Sequence, residues 1–177
     1  MISKTADVNL GYLDYNEQNL IKQGFKFLGE RYGWGHDYNA RDCTGFVGEI
    51  YKSFGVLMPR NSSWQGAGEY GHNWRFDKAA TVEQKQAVLK KMKVGDLIYI
   101  PGHVMMYIGD FEGQPYVIHD VKGLGYIKEG GGFYDGELNG VSVTPLLPLY
   151  LNSTTSYLDR TYAIKRIAHT VGEGAGR

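Results

Sequence analysis

An α+β fold, with helices first and an antiparallel sheet after them, is predicted by three features of the 177-residue chain. Apolar residues recur at helical spacing only before residue 93, the period then drops from 3.6 to 2, and Gly/Pro turns separate the later apolar runs. No composition shift or Pro/Ser-rich linker divides the chain, so its length is read as one domain with a real core.

The elements follow in order. Leu20, Ile21, Phe25 and Leu28 fall on one stripe behind a capping Asn16, which predicts a helix over 17–30. Phe46, Val47, Ile50, Tyr51 and Phe54 mark a second helix that Gly55 stops. Cys43 lies one turn before Phe46 and Val47, so its side chain shares the buried face. Thr81 and Gln84 stand in capping-box spacing ahead of a third helix, which carries Val82, Val88, Leu89 and Met92 and ends near 90–93. Strands are predicted at 96–100, 103–109, 115–121, 141–144 and 161–167, with turns at Pro101-Gly102 and 110–114. The stretches 62–76 and 122–140, the latter holding Gly130-Gly131-Gly132, are read as long surface loops near a site. The domain organisation is thus a lead segment over 1–15, a folded domain over 16–168, and a flexible tail over 169–177.

Composition excludes several function classes. Formal charge is +0, from 19 basic and 19 acidic residues well mixed, so the chain has no basic field of the kind nucleic acid or an anionic membrane demands. A single cysteine cannot form an internal disulfide. There is no signal-peptide run and no apolar stretch long enough to span a bilayer. As given, the chain is expected to be cytoplasmic, or a cell-envelope or secreted protein if a leader or upstream part has been removed.

Cys43 stands where an aromatic loop gives way to the second helix. A helix start offers unpaired N–H groups and the positive end of the dipole, which stabilise a thiolate, while the simpler reading is a small buried hydrophobe. Two histidines supply a partner. If Gly109 opposes Gly113 across a three-residue turn, His103 faces His119 directly on one side of the hairpin, whereas a one-residue slip would separate them. Covalent acyl transfer needs a base for the thiol proton, a group that orients the base, and a donor for the oxyanion. His103, His119 and the Cys43 N–H can fill those roles. A metal site built from His36, Cys43, His72, His103 and His119 lacks tight ligand spacing, so no metal or other cofactor is called for.

Arg31-Tyr32-Gly33-Trp34-Gly35, Asp42-Cys43-Thr44-Gly45-Phe46, Leu57-Met58-Pro59-Arg60-Asn61-Ser62-Ser63, Val94-Gly95-Asp96-Leu97 and Gly102-His103-Val104 together resemble the NlpC family of papain-like cysteine peptidases, over about residues 16–166. The resemblance implies a papain-like domain that cleaves peptidoglycan stem peptides or muropeptides, most often between γ-D-glutamate and a diamino acid. It implies a triad of Cys43 as nucleophile, His103 as base and His119 as orienter, with Tyr32 helping the oxyanion. It further implies that Asp42 pairs with the free amine of the substrate, with Thr44, Ser62 and Trp34 shaping the pocket. Simpler readings stand beside these: Asp42 as a helix cap, Trp34 as core, Ser62 as a turn residue. Two departures from the family pattern are His36, where a second glycine is usual, and Thr44, where serine is common. Members often carry Src-homology-3-like bacterial modules upstream that close the site, so such a module, in a longer product or a separate chain, is an expected partner. The alternatives are a papain-like amidase or acyltransferase on another acyl substrate, and a non-catalytic wall-binding module stacking sugars on the 14 Tyr and 3 Trp.

Overall fold

Asn16 opens the first helix, accepting the Asn19 N–H at 2.8 Å, in a computed structural model that describes residues 7–168. The predicted tail at 169–177 lies outside the described residues. In chain order the elements are α1 (Glu17–Phe25), a 3-10 segment (Trp34–Asn39), α2 (Cys43–Lys52), α3 (Ser62–Ala67), β1 (His72–Arg75), α4 (Val82–Leu89) and β2 (Leu97–Ile100). They continue with β3 (His103–Phe111), β4 (Gln114–Ile127), β5 (Phe133–Pro145), β6 (Leu149–Asn152), β7 (Thr155–Ser156), α5 (Tyr157–Arg160) and β8 (Ala163–Arg166). The strands form one sheet in the order β1-β8-β2-β3-β4-β6-β7, with β5 paired to β4 beside that path.

The sheet buries both faces. Val104 and Met106 of β3 and Ile118 of β4 pack under α2, against Phe46, Val47 and Ile50. Met105, Tyr107 and Val117 point the other way, toward Leu89, Tyr157 and Leu158. Successive side chains on a strand alternate between faces, so a residue's parity decides which core it joins. Asp96, 1 % exposed, anchors β2 to β8 through two hydrogen bonds donated by Arg166, at 2.8 and 2.7 Å.

Three expectations are corrected. The first helix ends at Phe25, not residue 30, because residues 29–32 dock on the outer edge of β5, with Gly29 N–H on Val141 O and Tyr32 N–H on Asn139 O, both at 2.9 Å. A Cβ at Gly140 would come within 2.5 Å of the Glu30 carbonyl, so this close approach requires glycine there. The stretch 62–76 holds the short α3 and the edge strand β1, and 122–140 is a paired β-hairpin whose turn is Gly130-Gly131-Gly132. Its alternation is hidden by Gly125 and Gly136, positions where a Cβ would meet the rings of Phe133 and Tyr134 within 2.3 and 2.5 Å.

The third correction concerns register. The β3/β4 turn has two residues, Glu112 and Gly113 at φ 51 and 75, and pairs Phe111 with Gln114. A bulge between Tyr107 and Gly109 then shifts the ladder by one, so that Met106 pairs with Ile118. Continued along the strand, this register makes His103 and His119 diagonal rather than direct neighbours. Their shared face survives only because the bulge restores the parity that the shorter turn would have reversed.

Candidate active site

Cys43 is the first residue of α2, and Asp42 is its N-cap, accepting the Gly45 N–H at 2.9 Å. The thiol is buried, 7 % exposed, and accepts a hydrogen bond from the Val104 N–H, which places it against the peptide joining His103 to Val104. Burial pushes the thiol up to about 11, with the charges of Asp42 and Asp120 adding to the rise and the Val104 and Thr44 N–H groups opposing it. The helix start alone was expected to lower it, but the loss of water outweighs two backbone donors. The resting form is therefore a thiol.

His103 and His119 meet as diagonal cross-strand neighbours. His103 Nε2 lies 2.9 Å from His119 Nδ1, and His119 Nε2 lies 3.0 Å from Thr144 Oγ1 on β5. His119 is wholly buried and its titration is depressed, by burial first and by His103 second. Burial likewise depresses His103. Both rings thus remain neutral at physiological pH, and Nδ1 is the ring nitrogen of His103 that is not committed to His119. Among the described residues no hydrogen bond joins His103 to Cys43, and the contact is made by the neighbouring peptide instead.

Tyr32, Trp34, Asp42, Cys43, Thr44 and Ser62 line a single pocket of about 570 Å³, which also reaches Gly102 beside His103. Burial, and then the charges of Cys43, Asp42 and Asp120, push the Tyr32 phenol up to about 12, so it stays a hydrogen-bond donor. Trp34 is 74 % exposed and so is not core, and Ser62 opens α3 rather than a turn. The Trp34–Asn39 segment is strained: His36, Tyr38 and Asn39 take φ values of 72, 57 and 56.

Asp42 is less open than its predicted role requires. Arg60 donates to both of its oxygens, at 3.1 and 2.6 Å, and the Thr44 hydroxyl and Gly35 N–H add bonds of 2.9 and 3.2 Å. Burial pulls its carboxyl upward, but Arg60 and these donors overcome that and hold it down at about 2. Arg60, which also donates to Thr44 Oγ1 at 2.6 Å, is a pocket residue that motif reading quoted without assigning a role.

Two further residues were missed. Thr144 sat in a predicted strand with nothing to mark it until β5 paired with β4. Asp120 follows His119 on β4 and so faces α2; it is 0 % exposed, and neither carboxylate oxygen has a partner among the described residues. Burial, together with Glu30 and Asp42 and against Arg41, pushes it up to about 7. Arg41 instead makes an ion pair with Glu30.

The profile of the NlpC/P60 family matches residues 29–140. A gamma-D-glutamyl-L-lysine dipeptidyl-peptidase of Bacillus cereus is 37 % identical over 101 residues, which are 52 % of this chain and 26 % of that protein. The chain thus spans about a quarter of that relative's length. The structure of an NlpC/P60 family protein from Bacillus cereus aligns over 88 % of this chain and 41 % of its own, at 26 % identity and a TM-score of 0.55. An NlpC/P60 endopeptidase from Photobacterium damselae subsp. piscicida has the same fold over 86 % of this chain and 39 % of its own, with a TM-score of 0.65 at 16 % identity.

Proposed function

Because the chain belongs to the NlpC/P60 family, we propose that it is a cysteine peptidase that hydrolyses bacterial cell-wall peptides at the bond between γ-D-glutamate and a diamino acid. The observation that carries this reading is the pair of imidazoles joined by a 2.9 Å hydrogen bond, near a helix-start cysteine that lines a pocket of about 570 Å³.

The chemistry follows from the proton positions. With thiol and imidazoles neutral at rest, Cys43 Sγ attacks the scissile carbonyl as its proton passes to Nδ1 of His103. The developing oxyanion takes hydrogen bonds from the Cys43 N–H and the Tyr32 phenol. His103 then returns the proton to the leaving amine of the diamino acid, giving a γ-glutamyl thioester and free amine. Water, losing a proton to His103, attacks the thioester; on collapse His103 returns that proton to the sulfur, restoring the thiol, and the released acid loses its own proton to solvent.

Substrate selection is read from the far end of the pocket. The free α-amine of an L-alanyl-γ-D-glutamyl peptide pairs with Asp42 in competition with Arg60, which bonds both of its oxygens, with Thr44, Ser62 and Trp34 around it. The wide exposure of Trp34, 74 %, fits a rim that a Src-homology-3-like module, in a longer product or a separate chain, would close.

Mass spectrometry of a digest of defined muropeptides tests the reading. The expected products are L-alanyl-γ-D-glutamate and a peptide beginning at the diamino acid. Cleavage elsewhere, or acyl transfer to an amine in place of water, would replace this reading with the amidase or acyltransferase one. No turnover by the intact chain, with or without a closing module, would sink it.

A further inference from the structure

We infer that Thr144 is a positioning residue of this centre, whose hydroxyl decides which nitrogen of His119 carries the proton and, through it, which nitrogen of His103 is free. The inference rests on the proposed role of His103 as base.

The placement is set by the sheet. Thr144 pairs with Val117, two residues from His119 on the same face of β4, so its hydroxyl approaches the imidazole along the second diagonal. His119 is 0 % exposed and Thr144 9 %. Both ring nitrogens of His119 are committed, Nδ1 to His103 at 2.9 Å and Nε2 to Thr144 at 3.0 Å.

A neutral imidazole has one donor and one acceptor nitrogen, so only two arrangements satisfy this line. In the first, His103 Nε2–H donates to His119 Nδ1 and His119 Nε2–H donates to Thr144 Oγ1. His103 Nδ1 is then a bare lone pair, as a base requires. In the second, Thr144 donates to His119 Nε2, and His119 Nδ1–H donates to His103 Nε2. The proton of His103 then sits on Nδ1, and the ring cannot accept another there.

Once His103 has taken the thiol proton, its imidazolium must donate from Nε2, so His119 Nδ1 must accept and His119 Nε2 must remain N–H. That N–H is buried and needs an acceptor, which Thr144 Oγ1 provides. A buried donor left unpaired is penalised, so removing the hydroxyl withdraws what favours the Nε2–H form and shifts the tautomer balance toward Nδ1–H. Thr144 therefore supports the base although it touches neither substrate nor nucleophile.

Thr144→Val keeps the shape and removes the hydroxyl, whereas Thr144→Ser keeps the hydroxyl. Nitrogen-15 NMR of the imidazoles reads the tautomers directly and needs no substrate. The expected result is an Nε2–H tautomer for His119 in wild type and Thr144→Ser, and a shift toward Nδ1–H in Thr144→Val. The kcat of Thr144→Val should fall about a hundredfold, the lower end of what a general base contributes, with KM little changed and Thr144→Ser restoring most of the loss. Equal kcat in the Val and Ser variants would overturn the inference. If Thr144→Val fails to fold, the wild-type spectrum alone decides, because an Nδ1–H tautomer of His119 contradicts the assignment. A wild type inactive on muropeptides but showing the Nε2–H tautomer would refute the proposed function and leave the geometry intact.

Discussion

Replacing Asp120 by Asn removes the one buried acid for which the fold supplies no hydrogen bond among the described residues. In the unfolded chain this carboxyl titrates near its ordinary 3.8, and in the folded protein at about 7, burial being the largest cause. Between those values the folded state holds a proton that the unfolded state has lost. Raising the pH therefore destabilises wild type across this window, and stability is greatest below it. The gap from 3.8 to about 7, at ~1.4 kcal/mol per pH unit, amounts to about 4 kcal/mol. Asn cannot ionise, so the stability difference between variant and wild type should grow by about that much from pH 4 to pH 8, or roughly 8–16 °C in Tm for a domain of this size. Asp42, held at about 2, and Lys165, which burial pushes down to about 8, are common to both proteins and largely cancel in the difference. Calorimetric melts of both proteins from pH 4 to 8 provide the assay. Parallel curves would refute the reasoning, since an Asp120 that already ionises at acidic pH must have found a partner or water. The same substitution removes a charge that raises the Cys43 thiol, so the variant should be alkylated faster than wild type at pH 8.

Wild-type Cys43 itself should react with iodoacetamide more slowly than a free thiol at pH 7, because burial pushes it up to about 11; a faster reaction would mean that a thiolate–imidazolium pair already exists at rest. Cys43→Ala should abolish turnover with an unchanged circular dichroism spectrum. His103→Ala should be nearly as severe, whereas His119→Gln, which keeps one hydrogen bond, should leave measurable kcat; the reverse order would exchange their roles. As His103 and His119 are both depressed by burial, activity should persist as pH falls through the ordinary histidine range near 6.5 and fail only well below it; a pH–rate profile with its acid limb at 6.5 would contradict this. His36→Gly should raise stability by about 1 kcal/mol, measured by urea unfolding, because glycine tolerates the left-handed φ of 72 without strain. Acetylating the substrate amine should cost activity in wild type and much less in Asp42→Asn; equal, small effects in both would discard the free-amine reading.

Local chemistry was legible in the chain. The Asn16 cap, the Thr81/Gln84 capping box and the helix starting at Cys43 each depend on residues within one turn, so spacing alone determines them. The motifs around Cys43 and His103 are local in the same sense, and with them came six residues that the fold gathers around one pocket. Glycine hid the long β4/β5 hairpin, because its positions make room for aromatic rings and erase the alternation by which strands are recognised. What tertiary structure alone decided was relative placement across strands. Whether His103 and His119 share a face depends on a two-residue turn and a compensating bulge, each worth one residue of register and neither marked by a residue at the histidines. Thr144 and Asp120 acquire meaning only from what lies opposite them, a ring nitrogen in one case and no partner in the other. The protonation of Cys43 depends on both levels: the sequence supplies the helix start that favours a thiolate, but the packed core sets how much water the sulfur loses, and burial is the larger effect.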